Sequence, residues 1–111
     1  MTAATNPWLI LGCAILLEVA GTTFLKLSDV FRNLGASLIM GVFYAASFFC
    51  VSLVIRQISM GLAYGIWAGV GTVLIALVGH TILGDRLTPM QGVFILIVAI
   101  GVAGLKISGP A

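Results

Sequence analysis

The sequence predicts an all-α integral membrane protein with four transmembrane helices per chain, and two observations indicate that class. Of 111 residues, 61% are hydrophobic and only 7% are charged, whereas a soluble domain carries about 25% charged residues. The apolar residues also fall into four runs, each near the roughly 20 residues that span about 30 Å of hydrocarbon. A chain this short and this apolar cannot cover its surface with polar groups, so its solvent is lipid.

The four predicted helices cover most of the chain, at about residues 8–27, 34–55, 60–83 and 90–107. The connections between them are very short, so consecutive helices are expected to be antiparallel neighbours. Charged residues gather in these connections and at helix ends, where long side chains reach the headgroups. We expect a single four-helix domain over residues 1–111, without a secretory signal.

Charge and cysteine content argue against several classes of function. The net charge of +2 comes from five Lys and Arg against three Asp and Glu, too few basic residues for nucleic-acid binding or a polybasic lipid patch. Cys13 and Cys50 lie inside apolar runs without metal-site spacing, and we interpret both as small packing residues. The sequence pairs no nucleophile with a base, so we expect neither an enzyme nor a cofactor.

The basic residues are nearly balanced across the membrane. One side holds both chain ends and the second connection, with Arg56 and Lys106, and the other side holds Lys26, Arg32 and Arg86. Two basic residues against three give a weak bias under the positive-inside rule. We therefore expect insertion in both orientations; the alternative is that loops this short give poor statistics.

The small size of the chain predicts assembly. Four helices of this length do not enclose a transport pathway, so we expect at least a dimer, for which closed twofold symmetry is the commonest arrangement. The fourth helix contains Gly101 and Gly104 but no polar residue within its core. We interpret it as a helix that serves assembly.

Glu18 is the most informative residue. It lies about ten residues into the first helix, which at about 1.5 Å per residue places it roughly 15 Å deep, near the bilayer midplane. An acid there marks an ion or substrate path by default, and no Lys or Arg lies at matching depth; the alternative is a neutral carboxyl packed within the bundle. Ala14, Gly21 and Thr22 share its helix face. Such small residues favour a cavity beside the carboxylate, close helix packing, or both.

Aromatic residues of the second and third helices favour a pocket for organic cations. Tyr44 and Ser47 are three residues apart on one face, with Phe48 beside them, and Tyr64 and Trp67 have the same spacing. Tyr44, Tyr64 and Trp67 lie away from helix ends, unlike the aromatic belts of membrane proteins. Aromatic faces attract cations, and a carboxylate supplies the partner that a buried Tyr or Trp needs. Ordinary core packing is the alternative.

The third helix is rich in glycine. Gly61, Gly65 and Gly69 repeat every four residues, a spacing that permits close helix contact. Gly69 and Gly71 also make a bend plausible, and a helix that bends differently in two states suits alternating access. His80, near the end of this helix, is interpreted as a headgroup contact rather than a proton relay.

Three motifs resemble those of one known family. They are EVAGTT at residues 18–23 followed by Lys26, AYGIWAGVG at residues 63–71, and GDRL at residues 84–87. With them the sequence is similar, over nearly its whole length and in register, to the small multidrug resistance transporters. The resemblance implies an antiparallel, dual-topology homodimer in the bacterial inner membrane that exchanges protons for cationic substrates.

The resemblance also implies roles for individual residues. It implies that Glu18 binds proton and substrate in alternation, and that Gly69 and Gly71 form a kink. Four aromatic and hydroxyl positions of the second and third helices match the family's pocket. Combined with helical spacing, the expected substrate pocket comprises Ala14, Gly21, Thr22, Tyr44, Ser47, Phe48, Tyr64 and Trp67.

The family has branches, which differ in substrate. Residues 21–23 (GTT) after the acid are similar to the branch that exports quaternary ammonium compounds, so we expect a proton-coupled exporter of hydrophobic organic cations. Residues 104–106 (GLK) resemble the guanidinium branch, and Phe49 stands where multidrug members often have Trp. The alternatives are a guanidinium exporter, a polyamine exporter that needs a second homologous chain, and a non-transporting assembly subunit.

Overall fold

Four α-helices make up the part of the chain that the structure, a computed structural model, describes, which is residues 6–108. α1 spans Pro7–Leu27, α2 Leu34–Val54, α3 Met60–Thr81 and α4 Pro89–Ile107. Each helix is long and apolar enough to cross a membrane. The predicted class, an all-α protein with four transmembrane helices, is confirmed.

A polar side chain caps the start of every helix. The caps accept hydrogen bonds from backbone N–H groups of the first helical turn at 2.9, 3.1, 3.4 and 3.1 Å, and they are Asn6, Asn33, Ser59 and Thr88. Before α4, the Gln91 side chain also accepts from the Thr88 backbone N–H at 3.0 Å, which completes a capping box. These N–H groups have no partner within the helix and none in hydrocarbon. The caps therefore suit helices that begin at a membrane surface.

The end of α3 differs from the sequence-based expectation. The apolar pattern predicts a helix to residue 83, but α3 ends at Thr81. Gly84 has a left-handed φ of 76°, and the chain turns back so that the Asp85 backbone N–H donates to the Gly79 carbonyl at 2.7 Å. The third connection therefore folds over the end of α3. Elsewhere the helix boundaries lie within one residue of the expected ones.

α1 lies at the centre of the packing. It contacts both α2 and α3, which contact each other little, while α4 packs mainly against α3 and reaches α1 through Nζ of Lys106, 4.9 Å from the centre of the Trp8 ring. The core between the first three helices includes Leu11, Ala14, Val54 and Ile66. The result is a slab of 41 × 34 × 17 Å, whose longer dimensions suffice to cross about 30 Å of hydrocarbon.

The two cysteines occupy different environments. Cys50 is partly buried and packs against the core, which agrees with its interpretation as a small packing residue. Cys13 is exposed on α1. Its interpretation as a small packing residue is not supported within the single chain, because its side chain is exposed.

Glycines on α3 let α4 approach closely. A Cβ at Gly65 would lie 2.9 Å from Cδ1 of Leu105, and a Cβ at Gly69 would overlap the Val102 side chain. A Cβ at Gly61, in contrast, would meet nothing within 4 Å. Two glycines of the predicted repeat therefore make the close helix contact that this spacing permits.

Replacing Gly69 with valine should weaken the contact between α3 and α4. We expect the free energy of unfolding to fall by about 1–3 kcal/mol, the cost of overpacking a filled space, and Val102→Ala in the same chain should restore part of it. The matched control is Gly61→Val, which should change stability by less than about 0.5 kcal/mol. Unfolding by SDS titration, followed by circular dichroism, measures both; equal losses at the two positions would contradict the packing role.

Candidate functional site

The Glu18 carboxyl lies between α1 and α3, and its two oxygens have different surroundings. Oε1 accepts a long hydrogen bond from the Thr22 hydroxyl, at 3.4 Å. Oε2 is buried and has no hydrogen-bond partner among the described residues. Because a buried acceptor without a donor is costly, this oxygen is well suited to take a proton or to face a cation.

Gly71 of α3 leaves the space that this oxygen occupies. A Cβ at position 71 would lie 2.6 Å from Oε2 of Glu18 and 3.3 Å from its carboxyl carbon. The resemblance implies a kink at Gly69 and Gly71, yet α3 is a continuous helix through both. Gly69 faces α4 and Gly71 faces the carboxyl. Each glycine thus has a packing partner that the sequence did not indicate, and the kink stays a prediction.

A chain of hydrogen bonds links Glu18 to α2. The hydroxyl oxygens of Thr22 and Tyr44 are 2.6 Å apart, and either can donate. A hydroxyl has a single hydrogen, so Thr22 can donate to Glu18 only while Tyr44 donates to Thr22. Gly21 makes this approach possible, because a Cβ there would lie 2.8 Å from the Tyr44 ring. The structure therefore brings these four predicted site residues together.

Ala14 and Ser47 lie at the contact between α1 and α2, where both are fully buried. The Ser47 hydroxyl donates to the backbone carbonyl of Ala14 at 2.6 Å. For Ala14, the structure shows the close packing that its small size permits. Neither side chain is open to a ligand in this conformation, and their place in the substrate pocket stays a prediction.

Phe48, Tyr64 and Trp67 form an aromatic cluster that joins α2 and α3. The ring centroids of Phe48 and Trp67 are 5.3 Å apart, and those of Tyr64 and Trp67 are 5.5 Å apart, both edge to face. Phe48 and Tyr64 are each 58% exposed, whereas Trp67 is 7% exposed. The indole N–H of Trp67 is buried without a partner among residues 6–108. No hydrogen bond joins this cluster to Glu18 in that range.

A charged cluster beside the end of α1 was not predicted from the sequence. Nζ of Lys26 lies 2.8 Å from Oδ1 of Asp85. The other oxygen of that carboxylate packs against Gly79, where a Cβ would lie 2.8 Å away. Nδ1 of His80 lies 3.0 Å from the backbone oxygen of Asp85, so His80 contacts the third connection. These contacts attach the loop between α3 and α4 to the end of α1.

Comparison with known proteins identifies the family. The family model described as Small Multidrug Resistance protein matches residues 6–98. The chain belongs to the small multidrug resistance family. Multidrug transporter EmrE of Escherichia coli (strain K12) is 40% identical over 97 residues, which cover 87% of this chain and 88% of that protein.

Two further relatives in the small multidrug resistance family come from Escherichia coli. Quaternary ammonium compound-resistance protein QacE is 34% identical over 104 residues, which cover 94% of each chain. The guanidinium exporter of strain K12 is 33% identical over 101 residues, which cover 91% of this chain and 96% of that protein. Members of the family are oligomeric multi-pass exporters of drugs and small cations in the bacterial inner membrane. The predictions of family, location and export are thereby confirmed for this chain.

Removing the Ser47 hydroxyl tests whether it holds α2 against α1. We expect Ser47→Ala to lower the free energy of unfolding by about 0.6–1.7 kcal/mol, the range for hydrogen bonds between membrane helices. The matched control is Ser52→Ala, because the Ser52 hydroxyl is exposed and donates to Phe49 within its own helix; it should cost less than about 0.5 kcal/mol. SDS titration checks both, and a Ser47→Ala protein as stable as the parent would contradict the role.

Proposed function

We propose that the chain exports hydrophobic organic cations, such as quaternary ammonium compounds, in exchange for protons. The observation that carries this proposal is the Glu18 carboxyl, whose Oε2 is buried without a partner in a helix able to cross the membrane. An ionisable group at that depth marks an ion or substrate path by default. It supports a site where a proton or a cation, rather than a side chain, neutralises the carboxylate.

The other charges of the described chain support this role for Glu18. Lys26 pairs with Asp85, and Arg32 lies 3.7 Å from Asp29, so neither cation pairs with Glu18. The chain has three Asp and Glu residues in all, and Glu18 is the one within a transmembrane helix. A cation that binds the carboxylate displaces its proton, and a proton that binds displaces the cation. Exchange of the two follows from this competition.

The aromatic cluster supports organic rather than inorganic cations. The Phe48 and Tyr64 rings are largely exposed, and aromatic faces attract cations with about 0.5–2 kcal/mol. Their apolar surface also favours the alkyl or aryl groups of a hydrophobic cation. The proposed pocket combines this cluster with the Glu18 carboxyl and the residues around it. Its members are Glu18, Ala14, Gly21, Thr22, Tyr44, Ser47, Phe48, Tyr64 and Trp67.

The proposed assembly is an antiparallel homodimer whose subunits insert in opposite orientations. The slab is only 17 Å thick in its thinnest dimension, and α4 has no buried residue among those described. A second copy can cover α4 and one broad face of the slab. The near balance of basic residues supports insertion in both orientations. Two copies would direct two Glu18 side chains toward one cavity. A homologous second chain in place of the second copy is the alternative.

A guanidinium exporter is the second candidate, favoured by the similarity to the Escherichia coli guanidinium exporter. Guanidinium is small and strongly hydrated compared with tetraphenylphosphonium, so it gains less from the aromatic cluster. Under the first proposal, purified protein should release more protons with tetraphenylphosphonium than with guanidinium at equal concentration. The opposite order would make guanidinium the substrate.

Replacing the acid with its amide tests the shared site. Glu18→Gln keeps the size of the side chain but cannot ionise, so it should lose cation-driven proton release while still inserting and assembling. In the parent, apparent affinity for tetraphenylphosphonium should fall as pH is lowered, by up to about tenfold per pH unit for each displaced proton. In the variant, binding should not depend on pH. Equilibrium binding over a pH series and proton release in weak buffer measure these effects.

The control for this experiment is Asp29→Asn, which removes an exposed carboxyl outside the membrane-spanning helices. The Asp29→Asn protein should release protons as the parent does, because position 29 is far from Glu18 along the chain. A Glu18→Gln protein that still exports cations against their gradient, driven by a proton gradient, would overturn the assignment.

Removing one ring of the aromatic cluster tests its role in binding. Tyr64→Leu should weaken tetraphenylphosphonium binding by about 1–2 kcal/mol, the scale of a desolvated cation–π contact, and should weaken guanidinium binding less. Tyr64 suits this test better than Trp67, because Trp67 belongs to the buried core. The control is Phe49→Leu, an exposed ring on α2 outside the cluster. Equal affinities for the two variants would restrict Tyr64 to packing.

A further inference from the structure

A polar stripe on α1 leads from Glu18 toward the membrane surface. Glu18, Thr22 and Lys26 recur at intervals of four residues, so they share one face of the helix. The stripe begins near the middle of α1 and ends at Lys26, in its last turn. Polar side chains placed in this order give an apolar helix in lipid no added stability. Their role therefore depends on the groups that lie beside them.

A small cavity lies along this stripe between α1 and α3. Its volume is about 100 Å³, and its lining includes Thr22 and Lys26 from α1, Val78 and Gly79 from α3, and Asp85 from the third connection. Ligand pockets usually measure about 300–1,000 Å³, whereas a water molecule takes up about 30 Å³ in the liquid. The cavity is therefore of a size for about three water molecules and too small for a hydrophobic organic cation.

Polar groups lie at both ends of the cavity. At its inner end the Thr22 hydroxyl is also within 3.4 Å of Oε1 of Glu18. At its outer end Lys26 and Asp85 form an ion pair of 2.8 Å. Water in such a space would find hydroxyl and charged partners, which a hydrated cavity requires. The cavity thus connects the carboxyl, through one hydroxyl, to an ion pair at the surface.

The ion pair at the outer end of the cavity is held in place, but its contribution to stability is small. Gly79 lets the Asp85 carboxylate approach α3, and the turn at Gly84 directs the loop toward Lys26. The Lys26 and Asp85 side chains are 57% and 48% exposed, and exposed ion pairs contribute little to stability. A contact of this kind opens at small cost.

We propose that this cavity is a water-filled proton route to Glu18, separate from the aromatic cluster, and that the Lys26–Asp85 pair is its gate. The proposal rests on the proton exchange proposed above. When the pair opens, hydronium from the surface gives a proton to Oγ1 of Thr22 as Thr22 gives its own proton to Oε1 of Glu18. The carboxylate becomes a carboxylic acid, hydronium becomes water, and the Thr22 hydroxyl is unchanged. The reverse transfer releases the proton when a cation binds.

A thiol placed inside the cavity reports whether the gate is open. Val78→Cys, in a chain with Cys13→Ser and Cys50→Ser, puts one thiol on the cavity lining. The purified protein in lipid nanodiscs is treated with iodoacetamide, and intact mass measures the alkylation rate. Iodoacetamide is neutral, so changes in nearby charge do not alter its attraction to the site.

Four changes test the ion pair in this thiol-bearing chain. Lys26→Gln and Asp85→Asn should each raise the alkylation rate about twofold to fivefold, which corresponds to about 0.4–1 kcal/mol for an exposed pair. Gly79→Ala should do the same, because its Cβ would displace the Asp85 carboxylate while both charges remain. The charge exchange Lys26→Asp with Asp85→Lys should return the rate toward that of the parent. The matched control is Gly61→Ala, which meets no neighbour and should leave the rate unchanged.

Two alkylation results would overturn the gate. One is an unchanged rate in Lys26→Gln and Asp85→Asn, which would mean that the pair does not close the cavity. The other is a charge-exchanged protein that reacts as fast as the single variants, which would mean that loop disruption, and not loss of pairing, opened it. These measurements do not depend on transport, so they test the gate even if the parent releases no protons and the proposed function fails.

The route itself is tested by the rate of proton release after rapid mixing with tetraphenylphosphonium. In the native-cysteine chain, Lys26→Gln and Gly79→Ala should speed release about twofold to fivefold, in step with alkylation, with cation affinity unchanged. Thr22→Val should lose the fast phase of release, which Thr22→Ser should keep. A fast phase that survives in Thr22→Val would exclude the hydroxyl from the route. Proton-release rates that do not change in step with the alkylation rates would exclude the cavity from the route.

Discussion

The Glu18 carboxyl lies near the middle of α1, and no basic side chain among residues 6–108 pairs with it. Residues of α1, α2 and α3 accommodate this group. An acid at bilayer depth costs a few kcal/mol, so whatever surrounds it must limit that cost without supplying a permanent counter-charge. α3 contributes a glycine in place of a side chain beside Oε2. α2 contributes the Tyr44 hydroxyl, which reaches the carboxyl only through Thr22. The carboxyl is thus accommodated by space and by weak hydrogen bonds, both of which leave its charge free to change.

The three most extensive helix contacts of the chain differ in kind. α1 and α2 are joined by a fully buried hydrogen bond between Ser47 and Ala14, and α3 and α4 by glycines against apolar side chains. Between α1 and α3, apolar core residues such as Leu11 and Ile66 lie beside a carboxyl, a small cavity and an exposed ion pair. Regions with few apolar contacts open at the lowest free energy. Any opening between α1 and α3 is therefore expected to begin at the end of their contact that holds the cavity and the ion pair.

Much of the fold could be predicted from the sequence because lipid makes the pattern simple. Four apolar runs and the residues that interrupt them predict the helices to within one residue, except at the end of α3. Glu18 could be recognised because an acid is conspicuous among apolar residues, and helical spacing placed Thr22 and Gly21 on its face. These inferences use only distance along one helix.

Contacts between helices could not be predicted in the same way. The ion pair between Lys26 and Asp85 joins residues 59 positions apart in the chain, and periodicity within a helix carries no information about such a partner. Gly71 could be recognised as unusual, but only the position of α1 shows that it faces the carboxyl. The exposure of Cys13 could not be predicted, because an apolar run in a membrane protein does not distinguish a side that faces protein from one that faces lipid.

The thinness of the slab has a consequence for the range of substrates. A chain 17 Å across in its thinnest dimension leaves little depth for an enclosed cavity the size of a substrate. In the proposed dimer, the volume offered to a substrate is the gap between the two copies. Such a gap widens or narrows when whole helices tilt, without the repacking of any interior. Tolerance for substrates of different size then depends on the distance between the two copies. Selection among substrates depends on charge and on the apolar surfaces that face the gap.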